Sequence, residues 1–285
     1  MAMSTQKVAV VTGANKGIGF AIVKGLCKKY GGKIYLTARN EILGKEAVKK
    51  LEEIGLLPVF HQLDITDPLS VKKFKDHIDF VDRGIDILVN NAGMAFKIAA
   101  TELPGVQAEA TVSTNYFGTL RVCESLFPLL RANARVINIT SSGGHLSKIP
   151  SLKLRTRFSH PNLTVAELSK MMHQFIKDCK GNNHIANGWG DNIFMVSKVA
   201  VSALTVIQQK EFNKTSFNGN ISVNSVYPGY VATDMSSHRG PLTTDEGARA
   251  PLYLALGLHN LKGEYVWHDT RVVDWFAPSA PVESY

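Results

Sequence analysis

Cysteine is scarce in this sequence, and what there is carries no pattern. Cys27, Cys123 and Cys179 are three among 285 residues, an odd number without CxxC spacing. That excludes a disulfide framework and fits reduced thiols that act as packing residues in a cell interior. Long apolar runs are also missing: stretches such as Val8 to Val11 fall far short of the roughly 20 residues a spanning helix needs, so no membrane span is expected. Met1 to Lys7 are polar and lead straight into a strand-like segment, with neither the apolar core nor the cleavage site of a secretory signal, so the expected location is cytoplasmic. In that setting the sequons at Asn138, Asn162, Asn213 and Asn220 are chance. The nine histidines form no HExxH and no Cys/His cluster at zinc spacing, which leaves a metal site without support.

The formal net charge is +8, yet the basic residues are dispersed. Lys28-Lys29, Lys45, Lys49-Lys50 and Lys72-Lys73-Lys75 fall in helix-like segments and read as solvated faces. No RNA-binding or helix-turn-helix signature accompanies them, so no nucleic-acid partner is expected, and a basic pocket for a phosphorylated small molecule stays open. Hydrophobic residues at 45% and charged residues at 20% describe ordinary globular composition, against disorder, collagen or a coiled coil. A single α/β domain reaches this length, and no flexible linker or repeat divides residues 1–285.

Short β-branched runs alternate with longer helical patterns over the first two thirds, which implies βαβ units and a doubly wound parallel sheet of Rossmann type. Strands are expected at Val8 to Thr12, Lys33 to Thr37, Val59 to Leu63, Ile85 to Val89, Arg135 to Thr140, Ile221 to Val226 and Glu264 to Trp267. Most are apolar on both faces, as they must be where helices cover both sides of a sheet. Asp67-Pro68 supplies an N-cap and a first-turn proline for a helix carrying Val71, Phe74, Ile78 and Val81. The stretch 142–191 is too long for a simple connection and reads as a helical insertion. Within it, Thr164 and Glu167 make a capping box, Leu163 and Leu168 a hydrophobic staple, and Leu168, Met171, Met172, Phe175, Ile176 and Cys179 a one-faced stripe belonging to the core.

Directly after the first strand stands Gly13-Ala14-Asn15-Lys16-Gly17-Ile18-Gly19, opening a helix. Strand, glycine turn and helix together let backbone approach a pyrophosphate, whose charge the helix N-terminus favours. A dinucleotide's adenosine ribose is distinguished near the end of the second strand, where an acid takes the 2′-hydroxyl and basic groups take a 2′-phosphate. Here the strand ends Thr37-Ala38-Arg39. With no acid at Ala38, and with Arg39 and Lys16 placed to face a phosphate dianion, NADPH/NADP+ is the expected cofactor.

These residues resemble the short-chain dehydrogenase/reductase family, and within it the monomeric NADPH-dependent carbonyl reductases. The likeness covers nearly the whole chain. It rests on Thr12-Gly13-x-x-x-Gly17-x-Gly19, Asp64-Ile65, Asn90-Asn91-Ala92-Gly93, Asn115, Asn138-Ile139-Thr140-Ser141, Lys198, and Pro228-Gly229 followed by Val231 and Thr233. The resemblance implies hydride transfer to the carbonyl carbon of a ketone, aldehyde or quinone. Gly13, Asn15, Lys16, Gly17, Ile18, Gly19, Arg39, Asp64, Ile65, Asn91, Ala92, Gly93, Lys198, Pro228, Gly229, Val231 and Thr233 would hold the cofactor. Ser141 would donate a hydrogen bond to the reacting oxygen, Asn115 would anchor a water chain, Tyr230 would line the substrate pocket, and Lys198 would hold the nicotinamide ribose and lower the pKa of a tyrosine one turn away. The insertion resembles one that covers an assembly surface, which implies a monomer.

The family pattern is Tyr-x-x-x-Lys, a one-turn spacing that puts both side chains on one helix face. This chain has Phe194-Met195-Val196-Ser197-Lys198. Phenylalanine keeps the ring and loses the proton donor, so impaired activity is expected. A catalytically silent NADP(H)-binding sensor or regulator is the alternative. A single isosteric change among intact motifs favours a substituted residue over a naturally silent chain, and codon 194 of the natural gene discriminates the two.

Overall fold

A computed structural model describes residues 6–97, 99–214 and 219–283. β1 (Lys7–Val11), α1 (Gly17–Lys29), β2 (Gly32–Ala38), α2 (Glu41–Glu52), β3 (Val59–Gln62), α3 (Pro68–Val81) and β4 (Ile85–Asn90) alternate without interruption. Then α4 (Pro104–Val112), a π-helical turn at Ser113–Gly118 and α5 (Thr119–Leu126) lead to β5 (Leu130–Ile139). Helices α6 (Leu152–Phe158), α7 (Val165–Lys180) and α8 (Ile193–Lys214) precede β6 (Ser222–Val226), after which come α9 (Thr244–Gly247), α10 (Arg249–Leu256), β7 (Tyr265–Val266) and β8 (Val272–Val273). One sheet joins the strands in the order β3-β2-β1-β4-β5-β6-β7-β8, parallel except for the antiparallel β8. The order reverses between β1 and β4, so a crevice opens at the carboxyl ends of those strands.

The apolar continuity of the strands has a direct cause. In β1, Ala9 and Val11 pack with Ile22 and Leu26 of α1 and Leu254 of α10, whereas Val8 and Val10 pack with Phe74 and Ile78 of α3 and Leu126 of α5. All four strand residues are fully buried, because neither face of the sheet meets water. Helix α3 starts as its sequence requires: Asp67 accepts from Leu69 N at 2.9 Å and Pro68 takes the first turn. On the surface, Glu41–Lys45 and Lys72–Asp76 pair at one-turn spacing, which makes those lysines solvated helix faces.

The inserted region contains α7 with its capping box complete: Thr164 Oγ1 accepts from Glu167 N at 3.2 Å, and Glu167 Oε2 accepts from Thr164 N at 3.0 Å. Its buried stripe, Leu168 to Cys179, joins Val196, Val199 and Leu204 of α8 and Val112 of α4 in one core cluster. Asp178 fastens the region internally, accepting from Trp189 Nε1 at 2.8 Å and Gln174 Nε2 at 2.7 Å. Lys180 pairs with Glu109 of α4.

Strand ends shift by a residue or so, with Thr12, Ile221, Glu264 and Trp267 outside β1, β6 and β7, and α9 and α10 have no counterpart in the expected elements; other features differ more. β5 begins at Leu130 rather than Arg135, because Leu130 pairs with Ile85 before a register shift brings Arg135 opposite Ile87. Helix α6 was not anticipated, although Ser151 caps it by accepting from Leu154 N at 3.3 Å. β8 was not anticipated either, and two residues are too few for a period to register. Among the described residues no helix is long and apolar enough to cross a membrane, no three His, Cys, Asp or Glu side chains are grouped to hold a metal ion, and all three cysteines are free thiols.

Candidate active site

The glycine turn is shaped by its neighbours. Gly13 has φ of +61°, and a Cβ there would lie 2.7 Å from Ala92 Cα; one at Gly19 would lie 2.4 Å from Asn91 Nδ2. A side chain at either position would therefore displace the loop after β4. Asn91 locks the two loops together by donating through Nδ2 to Thr12 O and Gly13 O, both at 2.9 Å. Thr12 Oγ1 completes the lock by accepting from the N–H groups of Asn91 and Ala92, both at 3.0 Å. Ala14 N reaches across to Thr37 O at 2.8 Å, which joins the turn to the end of β2.

Helix α1 starts without a side-chain cap at Lys16, and the first N–H that donates back into the helix is that of Phe20. Gly17, Ile18 and Gly19 thus present backbone N–H groups and the positive end of the helix dipole to the crevice. This cradle fits a pyrophosphate. At the β2 end Ala38 is buried, whereas Arg39 is exposed and makes no ion pair among the described residues. Lys16 differs from Arg39 in being engaged: its Nζ pairs with Asp234 Oδ2 at 2.6 Å, both side chains lying more than half exposed. Asp234 had no sequence signal. Asp64 turns inward on its own loop, accepting from Thr66 N and Thr66 Oγ1, while Ile65 is buried against Gly118.

Deeper in, a cleft of about 980 Å³ is lined by Ile18, Asn91 and Gly93 on one side and by Ser141, Phe194 and Lys198 on the other. Pro228, Gly229, Tyr230, Val231 and Thr233 form its third wall. Lys198 is only 5% exposed. Its Nζ donates to Ile139 O at 2.9 Å and stands 5.6 Å from the centre of the Phe194 ring, one turn earlier on α8. Burial pushes the ammonium down from 10.5 to about 8. The hydroxyl of Thr140, which lines the same cleft, is buried with no hydrogen-bond partner among the described residues.

Ser141 faces the cleft at the end of β5, its Oγ accepting from Gly143 N at 3.1 Å. Its carbonyl accepts from Tyr265 Oη, and Trp275 Nε1 donates to Gly144 O at 2.7 Å. These two aromatic anchors, both invisible in the local sequence, fix the serine loop from the far edge of the sheet. Tyr230 is 41% exposed at the cleft wall.

Asn115 sits in the π-helical turn and is 1% exposed. Its Oδ1 accepts from Met94 N at 2.8 Å, and its Nδ2 donates to Met94 O at 2.9 Å and to Ser197 Oγ at 3.0 Å. Both Nδ2 hydrogens of the side-chain amide are used in these bonds, and Oδ1 keeps one lone pair. What it does in the structure is hold the loop after β4 at a fixed distance from α8, with Ser197 as a further partner that no motif flagged.

A family model described as short chain dehydrogenase matches residues 7–151. The chain is 41% identical over 276 residues to carbonyl reductase (NADPH) 1 of Rattus norvegicus, covering 95% of this chain and 99% of that protein. It is 42% identical over 255 residues to carbonyl reductase (NADPH) 3 of Mus musculus, covering 89% and 92%. Among solved structures, salutaridine reductase from Papaver somniferum superposes with a TM-score of 0.84 at 31% identity, covering 91% of this chain and 99% of that one.

Proposed function

The chain belongs to the short-chain dehydrogenase family, and from that premise we propose that it is an NADPH-dependent carbonyl reductase whose proton transfer is impaired by Phe194. The observation that carries this reading is the convergence of Gly93, Ser141, Phe194 and Lys198 on one cleft beside an uncapped helix N-terminus. The names of the mammalian relatives support the cofactor and the substrate class. Bound NADPH supplies hydride to a carbonyl carbon.

The chain's own residues do the rest. Gly17, Ile18 and Gly19 receive the pyrophosphate on backbone N–H groups. Arg39, which makes no ion pair among the described residues, takes the 2′-phosphate, and Lys16 joins it once released from Asp234. Lys198 holds the nicotinamide ribose. Ser141 donates a hydrogen bond to the substrate oxygen where negative charge develops, so its contribution is larger in the transition state than in the ground state. At Phe194 no hydroxyl exists to protonate that oxygen.

Restoring the hydroxyl tests the reading. Phe194→Tyr should raise the rate of carbonyl reduction by about 10²-fold to 10⁴-fold, the range of a positioned general acid. NADPH affinity should scarcely move, because ring burial and the lysine contacts do not need the hydroxyl. Steady-state kinetics with a reactive quinone, beside a fluorescence titration of NADPH, measure both. Substantial turnover by the present chain with little gain on restoration would refute the role given to position 194. Phe194 also motivates a second reading, a cofactor-binding sensor without chemistry, and tight NADPH binding with no turnover by either form would favour it.

A further inference from the structure

We infer that Lys198 is itself the proton source for carbonyl reduction in this chain, acting through a water molecule in the space that a phenolic hydroxyl at position 194 would fill. The inference rests on the carbonyl reductase reading above. Three observations carry it. First, Lys198 lines the same cleft as Ser141 and Phe194, with Nζ 2.9 Å from Ile139 O and 3.5 Å from where a Cβ on Gly93 would lie. Second, that carbonyl is the one protein acceptor it has among the described residues, and no carboxylate pairs with it. An ammonium has three N–H donors, so two remain for the ribose and for a water. Third, the two other polar side chains assigned to the reaction are not acids. Ser141 is a hydroxyl with no acidic proton at neutral pH, and the Asn115 amide, whose two N–H groups go to Met94 and Ser197, is not an acid.

The other ionisable groups that face the cleft come from the loops around it. Lys97 follows β4 and donates to Asp234 O and Ser237 Oγ at the rim; Tyr227, Tyr230 and Arg239 follow β6; Glu283 belongs to the tail. Tyr227 packs its ring against Trp267 at 5.3 Å and His268 at 5.9 Å. From β5 and the loop after β4, Ile139, Thr140, Asn91 and Gly93 add no titrating side chain. Within reach of a bound carbonyl oxygen beside Ser141, Lys198 is the acid that α8 supplies.

The balance is simple. As the carbonyl carbon accepts hydride, the C=O π pair moves to oxygen. A water O–H bond breaks and its proton joins that oxygen, while an Nζ–H bond breaks and restores the water. Lys198 is left as a neutral amine and regains a proton from solvent through the cleft mouth. Desolvation supports this cycle, since it lowers the ammonium to about 8, nearer to neutrality than a phenol at about 10 and therefore better matched to proton transfer.

The pH dependence decides the matter. Turnover of an aliphatic ketone, whose alkoxide product must be protonated, should be level below about pH 8 for the present chain and fall tenfold per pH unit above it. Acetylation of Lys198 by acetic anhydride in the cofactor-free protein, read by peptide mass spectrometry against exposed Lys28, should titrate at the same midpoint. Lys198→Arg keeps the charge and removes the titration. It should lose at least about 10²-fold in rate, with NADPH affinity followed separately by fluorescence. A rate flat to pH 10, a labelling midpoint near the ordinary lysine value of 10.5, or an NADPH-binding Lys198→Arg with full turnover would overturn the assignment. So would an inactive present chain beside an active Phe194→Tyr. Failure of Phe194→Tyr to bind NADPH or to reduce any carbonyl would overturn the carbonyl reductase reading, and this inference with it.

Discussion

Lys198→Met removes a buried ammonium and leaves an unbranched apolar side chain in the same channel between Ile139 and Gly93. The folded-state pKa, about 8, lies below the value of 10.5 for a solvated lysine. At about 1.36 kcal/mol per pH unit this gap corresponds to about 3 kcal/mol. The sign follows from proton counting. Between the two values the unfolded chain holds the proton and the folded chain does not, so stability rises with pH across that window. Below about pH 8 the native state bears the full penalty; above about pH 10.5 it bears none. Against this, the substitution forfeits the bond to Ile139 O, worth about 1 kcal/mol. The variant should therefore be about 2 kcal/mol more stable than the parent at pH 7, and its advantage should shrink above pH 8 and reverse by pH 10.5. Denaturant unfolding of both proteins at several pH values measures the gap, and titrations common to both cancel. A variant less stable at pH 7, or a gap independent of pH, would refute the view of Lys198 as a buried cation without a counter-ion.

Arg39→Ala should weaken NADPH binding while leaving NADH unchanged, and Asp234→Ala should strengthen NADPH binding a few-fold by freeing Lys16; titrations with both cofactors check this, and added salt should narrow the difference because both cations are exposed. Reduction of a quinone leaves a phenolate, whose conjugate acid lies near 10 as in tyrosine, whereas an aliphatic ketone leaves an alkoxide far more basic. Phe194→Tyr should accordingly accelerate ketones more than quinones, and parallel kinetics on one substrate of each kind would show it. Sedimentation at micromolar concentration should find a monomer, since the apolar stripe of α7 is buried against α4 and α8 of its own chain; a stable dimer would refute that role for the insertion.

The site was legible where function constrains backbone. Gly13 and Gly19 are read from sequence because a Cβ at either would strike the loop after β4. Asn91 is read from its motif for the complementary reason, that its amide closes the gap. Lys198 and Phe194 stand out because one helical turn relates them. The capping box of α7 is similarly a local device, complete within four residues. What escaped was long-range. Asp234 meets Lys16 across 218 positions, and Tyr265 meets Ser141 across 124; no local period encodes such a pair. Asn115 is singled out in the sequence by its motif alone, yet its bond to Ser197 depends on how the π-helical turn docks on α8, which is a fact of packing.

The Tyr265 and Trp275 contacts also bear on the order in which a nascent chain becomes competent. A ribosome releases the chain from its amino terminus, and domains acquire structure as they emerge. The interlock of Thr12, Gly13, Asn91 and Ala92 is made by residues from the first third of the chain. The carbonyls of Ser141 and Gly144 wait for residues 265 and 275. Reactive geometry is thereby tied to the last strands made, and a chain cut before Tyr265 would leave the serine loop without these two anchors.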